Sequence, residues 1–130
     1  MPTLREKYPD LPSLLAAIRR RPGMFLGHQT IRGLNLFLGG FYFSEDLYDI
    51  PNADRLQGFE RPQFEQWVDS KFNLERISMN SFYLAEHIAG SDAAGFDLWF
   101  RWYDEYSGRR LTAWHPASNR TPDFNAVGRS

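Results

Sequence analysis

Residues Arg19 to Gly27 read Arg-Arg-Arg-Pro-Gly-Met-Phe-Leu-Gly, and this stretch limits the fold more than any other. It closes an apolar-periodic segment in which Leu11, Leu14, Leu15 and Ile18 fall at i, i+3, i+4 and i+7, one face of a helix. Asp10 can cap that helix, and Pro12 is tolerated in its first turn. Three arginines suit the negative end of the helix dipole. Pro22 then disfavours the helical region for Arg21 and has no N–H to continue the ladder. Gly23 and Gly27 bracket Met24, Phe25 and Leu26, whose apolar side chains are expected to plug into a core. The segment Arg21, Pro22, Gly23, Met24, Phe25, Leu26, Gly27 is therefore read as an anchored loop between two helices.

Further helices follow from the same periodicity. Thr30 can cap one running to about Tyr48, with Leu34, Phe37, Leu38 and Phe41 as its main stripe. Leu36, Phe43 and Leu47 spread onto other faces, and a helix apolar on several sides is expected to be central. Gly33, Gly39 and Gly40 each weaken it by roughly 1 kcal/mol relative to Ala, so close packing by another element is expected there. A break at Gly39-Gly40 is the alternative. Ile50 to Arg61 reads as a loop, with Pro51, Asn52 and Gly58 as breakers. Pro62 opens a helix bearing Phe64, Trp67, Val68 and Phe72, and Asn73 can end it. A segment from about Ser78 to Ala89 groups Phe82, Ala85 and Ile88 and stops at Gly90. Ser91 and Asp92 open the last helix, with Phe96, Trp99, Phe100 and Tyr103 as its stripe and Gly108 as its end. The fold class is all-α: a compact bundle of about five helices over residues 1–108, followed by an extended, partly mobile C-terminal tail over 109–130. Within the tail, Leu111 to Trp114 can form an extended segment packed on the bundle, and the polar residues after Pro116 suit a mobile end.

The chain has 130 residues, 42% hydrophobic and 16% aromatic, which fits one globular domain. Eleven Phe, six Tyr and four Trp exceed what such a core needs, so some are expected at a contact surface. Fifteen basic and 16 acidic residues leave a net charge of −1, without the electrostatic footprint of a general nucleic-acid binder. The lack of cysteine removes disulfides, thiolate metal sites and cysteine nucleophiles, and fits a reducing cytoplasm. Residues Met1 to Lys7 carry no apolar signal core, and no apolar run approaches about 18 residues. A cytoplasmic protein with no membrane role is expected.

The residues assign no catalytic group, metal or cofactor. His28, His87 and His115 show neither HExxH spacing nor a helical metal pair, and His28 is expected to support the preceding loop by hydrogen bonding. Ser44, Ser78 and Ser91 lie at turns and caps, outside any G-x-S-x-G elbow. Two patches invite a partner. Glu45, Asp46, Tyr48, Asp49 and Asp54 gather negative charge around an aromatic ring at a helix C-terminus, where acids gain nothing from the dipole. They read either as an exposed acidic loop or as a docking patch for a basic protein, with Tyr48 as anchor. Arg19, Arg20 and Arg21 read either as dipole complements or as an anion site.

The order of motifs resembles a group of small bacterial immunity-type proteins associated with polymorphic-toxin loci. In that group a leucine-rich helix leads into R-P-G-M-[FY]-[LI]-G, then an L-x-x-F-[LI]-x-G-[FY] helix, a F-x-x-[FW]-V helix and an aromatic helix. Here the pieces are Leu14 to Gly27, Leu34 to Phe41, Phe64 to Val68 and Phe96 to Tyr103, so the resemblance covers roughly residues 10–107. It implies a cytoplasmic protein that neutralises a cognate toxin domain by stoichiometric protein–protein binding, without cofactor, membrane or direct nucleic-acid contact. R-P-G-M-[FY]-[IL]-G also resembles the start of the ATPase domain of type II topoisomerases. That domain requires an ExxDN-type helix and a D-x-G-x-G motif; Glu45 to Asp49 and Asp92 to Gly95 lack those spacings, which argues against ATP hydrolysis. Two further readings stay open: a small-ligand protein or enzyme holding an anion or nucleotide at Arg19–Gly27, and an oligomerising module whose surplus aromatics form a homodimer face.

Overall fold

A computed structural model describes residues 1–73 and 80–113, the last five by backbone alone. Among the described residues the fold is all-helical. The helices are α1 (Leu4–Lys7), α2 (Leu11–Arg20), α3 (Pro22–Leu26), α4 (Ile31–Leu47), α5 (Arg61–Phe72), α6 (Ser81–Ala89) and α7 (Asp92–Ala113), with a 3-10 turn at Asn52–Asp54.

Local chemistry explains most boundaries. The Asp10 carboxylate accepts from Ser13 N–H, and Thr30 Oγ1 accepts from Gly33 N–H, so α2 and α4 begin at the expected caps. Helix α5 ends at Asn73, whose φ of 57° is left-handed, and α6 ends at Gly90 with φ 90°. The Asn80 side chain accepts from Tyr83 N–H to start α6; the expected start at Ser78 lies outside the described residues.

Four expectations change. First, Arg21–Gly27 is more helix than loop. Pro22 stops α2 yet starts α3, because its fixed φ suits a first turn. Gly27, with φ 83°, then ends it. Phe25 and Leu26 are half-buried as expected, but Met24 faces outward, 64% exposed. Second, α4 runs unbroken through Gly39-Gly40, and those glycines do not lie against another element. A Cβ at either would meet nothing within 4 Å, whereas one at Gly33 would meet Leu26 Cβ at 3.2 Å. Third, α4 is only half central: Ile31, Leu34 and Leu38 are buried while Leu36, Phe43 and Leu47 face outward. Fourth, α7 continues through Gly108 to Ala113, so Leu111–Ala113 is helical where an extended segment was expected. The tail from Trp114 to Ser130, with His115, lies outside the described residues.

The core forms around α7. Trp99 stacks on Phe82 and Tyr103 with ring centroids 5.3 and 6.0 Å away, and meets Phe64 and Phe100 at 5.2 and 5.1 Å. Its Nε1–H donates to Ser81 Oγ at 2.9 Å, and Ser81 Oγ–H donates to Glu65 at 2.6 Å, which ties α5, α6 and α7 together. Most of the aromatic surplus is therefore internal. Lys71 and Glu105 form an ion pair of 2.5 Å between α5 and α7, with side chains only 2% and 6% exposed.

Candidate functional site

The two patches singled out in the sequence have different surroundings. The acidic segment follows α4, where the chain turns sharply. Tyr48 N–H donates to Ser44 O, Asp49 N–H to Asp46 O, and Ile50 N–H to Glu45 O. Asp49 takes a left-handed φ of 51°, a conformation Asp tolerates better than most residues. Tyr48 stands 73% exposed, and Asp46, Asp49 and Asp54 are also exposed.

Glu45 is half-buried and partly structural, since its Oε2 accepts Leu56 N–H at 3.3 Å. Arg55 closes the segment: Nε donates to Ile50 O at 2.8 Å, one terminal nitrogen to Asp46 at 2.7 Å and the other to Glu45 O at 3.3 Å. Residues 45 to 55 hold four acids and one base, a net charge of −3. The pairing with Arg55 offsets only part of the negative charge.

This segment forms one wall of a groove of about 510 Å³. Phe37 and Phe41 of α4, Phe25 of α3, Leu4, Tyr8, Ile50 and Leu56 line it with apolar side chains. Phe25 meets Tyr8 and Phe37 edge-on, each at 6.1 Å between centroids. Arg5, Glu45 and Asp54 supply the charge along the lining, and Arg5 donates to Asp54 O at 2.7 Å. Thus the Arg21–Gly27 motif, through Phe25, and the acidic segment, through Glu45 and Asp54, meet at one concave surface. Sequence spacing gave no sign of that meeting. It also missed α1, although Thr3-Leu-Arg-Glu6 is a legible capping box: Thr3 Oγ1 accepts Glu6 N–H, and Glu6 Oε1 accepts Thr3 N–H. The Thr3 backbone N–H, and after it the Thr3 hydroxyl, hold the Glu6 carboxyl below its ordinary pKa.

The basic patch is dispersed. Arg19 pairs with Asp104 at 2.8 Å and lies over the Phe100 ring, while Arg20 and Arg21 remain exposed. A smaller recess of about 260 Å³ adjoins Arg19 and Arg20. His28 is exposed, and its carbonyl accepts Thr30 N–H. Behind the groove, burial pushes the Tyr42 phenol above its ordinary pKa, and its buried hydroxyl has no hydrogen-bond partner among the described residues. On the other side of α4, Arg32 grips Glu86 through two bonds of 3.0 and 2.7 Å, which raise the Arg32 pKa and lower that of Glu86.

Among the described residues no group of three or more His, Cys, Asp or Glu could hold a metal ion. No helix among them is long and apolar enough to cross a membrane. Comparison with known proteins finds no family model, no curated protein and no solved structure that matches this chain.

Proposed function

We propose that this chain is an immunity-type binding protein that neutralises a cognate toxin domain by stoichiometric binding in the bacterial cytoplasm. The observation that carries the proposal is the convergence of the Phe25 segment and the acidic segment on one groove. The groove offers apolar depth for an anchor side chain, and the acidic turn beside it favours a basic partner. Tyr48 supplies an exposed ring of the kind that dominates interface energetics. Complementary charge would speed and orient the encounter. Inhibition needs no cofactor in this scheme; the bound chain covers the toxin's working surface.

Tagged full-length protein used as bait in its native host tests the proposal, with captured proteins identified by mass spectrometry. One stoichiometric partner carrying a toxin-like domain is the expected result. Replacing Asp46, Asp49 and Asp54 with Asn should weaken that complex by roughly tenfold or more, chiefly through slower association. Undiminished affinity would remove the acidic segment from the interface, and recovery of the bait alone would overturn the proposal.

One observation favours a second reading. The groove volume of about 510 Å³ lies within the range of small-ligand sites, roughly 300–1,000 Å³. A ligand specific to the folded state would raise the melting temperature in a metabolite and nucleotide screen. A flat screen together with a captured protein partner would decide for the first reading.

A further inference from the structure

Helix α1 supplies part of the groove's lining yet buries none of its own residues. Leu4 and Tyr8 fall at i and i+4, joined by the Tyr8 N–H to Leu4 O bond, so they share one helical face, and both line the groove. Between them Arg5 donates from Nη1 to Asp54 O at 2.7 Å, and the Tyr8 ring meets Phe25 edge-on at 6.1 Å. The seat is shallow: Leu4 is 75% exposed, and the Arg5 bond is open to solvent. A helix of four residues is also too short to hold itself in water without the surface beneath it. Apart from α1, the lining keeps Leu14, Phe25, Phe37, Phe41, Ile50 and Leu56, and its charged groups are then Glu45 and Asp54 alone. Neither carboxylate has an ion pair among the described residues. Arg55 is already held by Asp46 and by the carbonyls of Ile50 and Glu45.

We propose that α1 is a placeholder: the groove is the seat for a basic amphipathic helix of the partner protein, which displaces α1 and repeats its contacts over a greater length. This inference rests on the reading of the groove as the partner-binding surface, and it adds the chemistry of the occupant. Recognition of a helix in a groove uses apolar anchors spaced by three or four residues. Helix α1 already presents that pattern in Leu4 and Tyr8, with an arginine directly after the first anchor. A longer partner helix carries such anchors over Phe25, Phe37 and Phe41 and brings arginine or lysine to Glu45 and Asp54. It prevails over α1 because more turns take more apolar surface out of water. The two helices cannot share the seat, so the apparent affinity for the partner is reduced by the fraction of chains in which α1 is docked. In the absence of a partner, the Tyr8 ring covers one edge of Phe25.

The test uses a fluorophore-labelled synthetic helix of about 15 residues, with leucine or tyrosine at every fourth position and an arginine after each. Its fluorescence anisotropy is followed as the full-length chain is added, and saturable binding is expected. Tyr8→Ala loosens α1 without changing charge and should tighten binding by about three- to tenfold, the worth of one aromatic pair. Arg5→Ala should act in the same direction through the lost hydrogen bond. Phe41→Ser should weaken binding by roughly tenfold or more, and a probe with glutamate for each arginine should lose about tenfold. A probe that binds neither the unaltered chain nor Tyr8→Ala would overturn the inference. Equal or weaker binding by Tyr8→Ala would make α1 a support and not a competitor, and tightening by Arg5→Ala alone would trace to charge; either result overturns displacement. Undiminished binding by Phe41→Ser would place the helix outside the groove. Amide exchange of the full-length chain gives an independent reading: Glu6, Lys7 and Tyr8 should exchange by local opening while α7 stays folded. Protection of those amides that is lost only on global unfolding would also overturn the inference. A captured toxin domain that binds the unaltered chain and Tyr8→Ala equally would sink displacement and leave the neutralisation reading standing. Recovery of the bait alone, with probe binding intact, would remove neutralisation and leave the groove as a seat for a basic helix.

Discussion

Helices α7 and α4 carry the same signal in sequence, large apolar residues on more than one face, and meet opposite fates. Around α7 nearly every such residue is covered: Phe96, Leu98, Trp99, Phe100, Trp102 and Tyr106 are all buried. Around α4, Ile31, Leu34 and Leu38 are buried while Leu36, Phe43 and Leu47 face outward. The difference lies in the neighbours. Helices α4, α5 and α6 all pack on α7, and Phe59 reaches it from the preceding loop. Helix α4 has α3, α6 and α7 on its inner side, and its outer side meets none of the described helices. Apolar periodicity states which face gains from leaving water; it does not say whether the cover is the same chain or another molecule.

Substitutions at the two helices should separate these cases, the largest effect coming from the covered one. Trp99→Ala should cost about 3–5 kcal/mol, because it removes the ring shared by Phe64, Phe82 and Phe100 and the donor to Ser81. Urea unfolding with a second probe of helicity would measure it, and a loss below about 1 kcal/mol would contradict the central place of α7.

The Lys71–Glu105 pair comes next. Lys71→Met leaves a buried carboxylate without its cation and should cost about 3–5 kcal/mol, whereas Lys71→Met with Glu105→Leu should recover most of that loss. A double variant no better than the single would mean that shape, not charge, sets the cost.

Tyr42, on α4, tests the boundary between covered and uncovered sides. Its buried hydroxyl has no partner among the described residues, so Tyr42→Phe should stabilise by about 1 kcal/mol. The phenol's folded pKa is raised above its ordinary value. Stability is therefore untouched by this group below the ordinary tyrosine pKa, and it falls as pH rises through the folded value, because ionisation favours the unfolded chain. Unfolding experiments above about pH 10 should show the natural chain losing stability on that limb and Tyr42→Phe losing less.

The smallest effect belongs to the uncovered face. Phe43→Glu should change the stability of the dilute monomer by no more than about 0.5 kcal/mol, although Phe43 is as large an apolar group as those lining α7. A loss of several kcal/mol would show that the monomer itself depends on this ring.

Much of the fold was legible because helix ends are local events. Asp10, Thr30, Asn73 and Gly90 act on backbone groups within a few residues, and the structure finds each of them ending or starting a helix. The Arg21–Gly27 segment was recognised as a junction but misread as a loop, because Pro22 breaks one helix and begins another with the same fixed φ. The groove was legible only in pieces. Phe25 and the Glu45–Asp54 segment stood out separately, and bringing them together required α1, α3 and α4 to pack. Tyr8 carries no sequence signal, since a single ring beside a four-residue helix has no period to reveal it.

The sequence alone therefore determined the all-helical class and most helix limits, because caps, glycines and 3.6-residue spacing act within a turn or two of the chain. It also determined which faces seek burial. Tertiary structure alone decided what meets them. The pairing of Lys71 with Glu105, the Glu65–Ser81–Trp99 chain of hydrogen bonds and the groove each join residues far apart in sequence. Burial and long-range hydrogen bonding depend on which surfaces come together, and no local spacing carries that information.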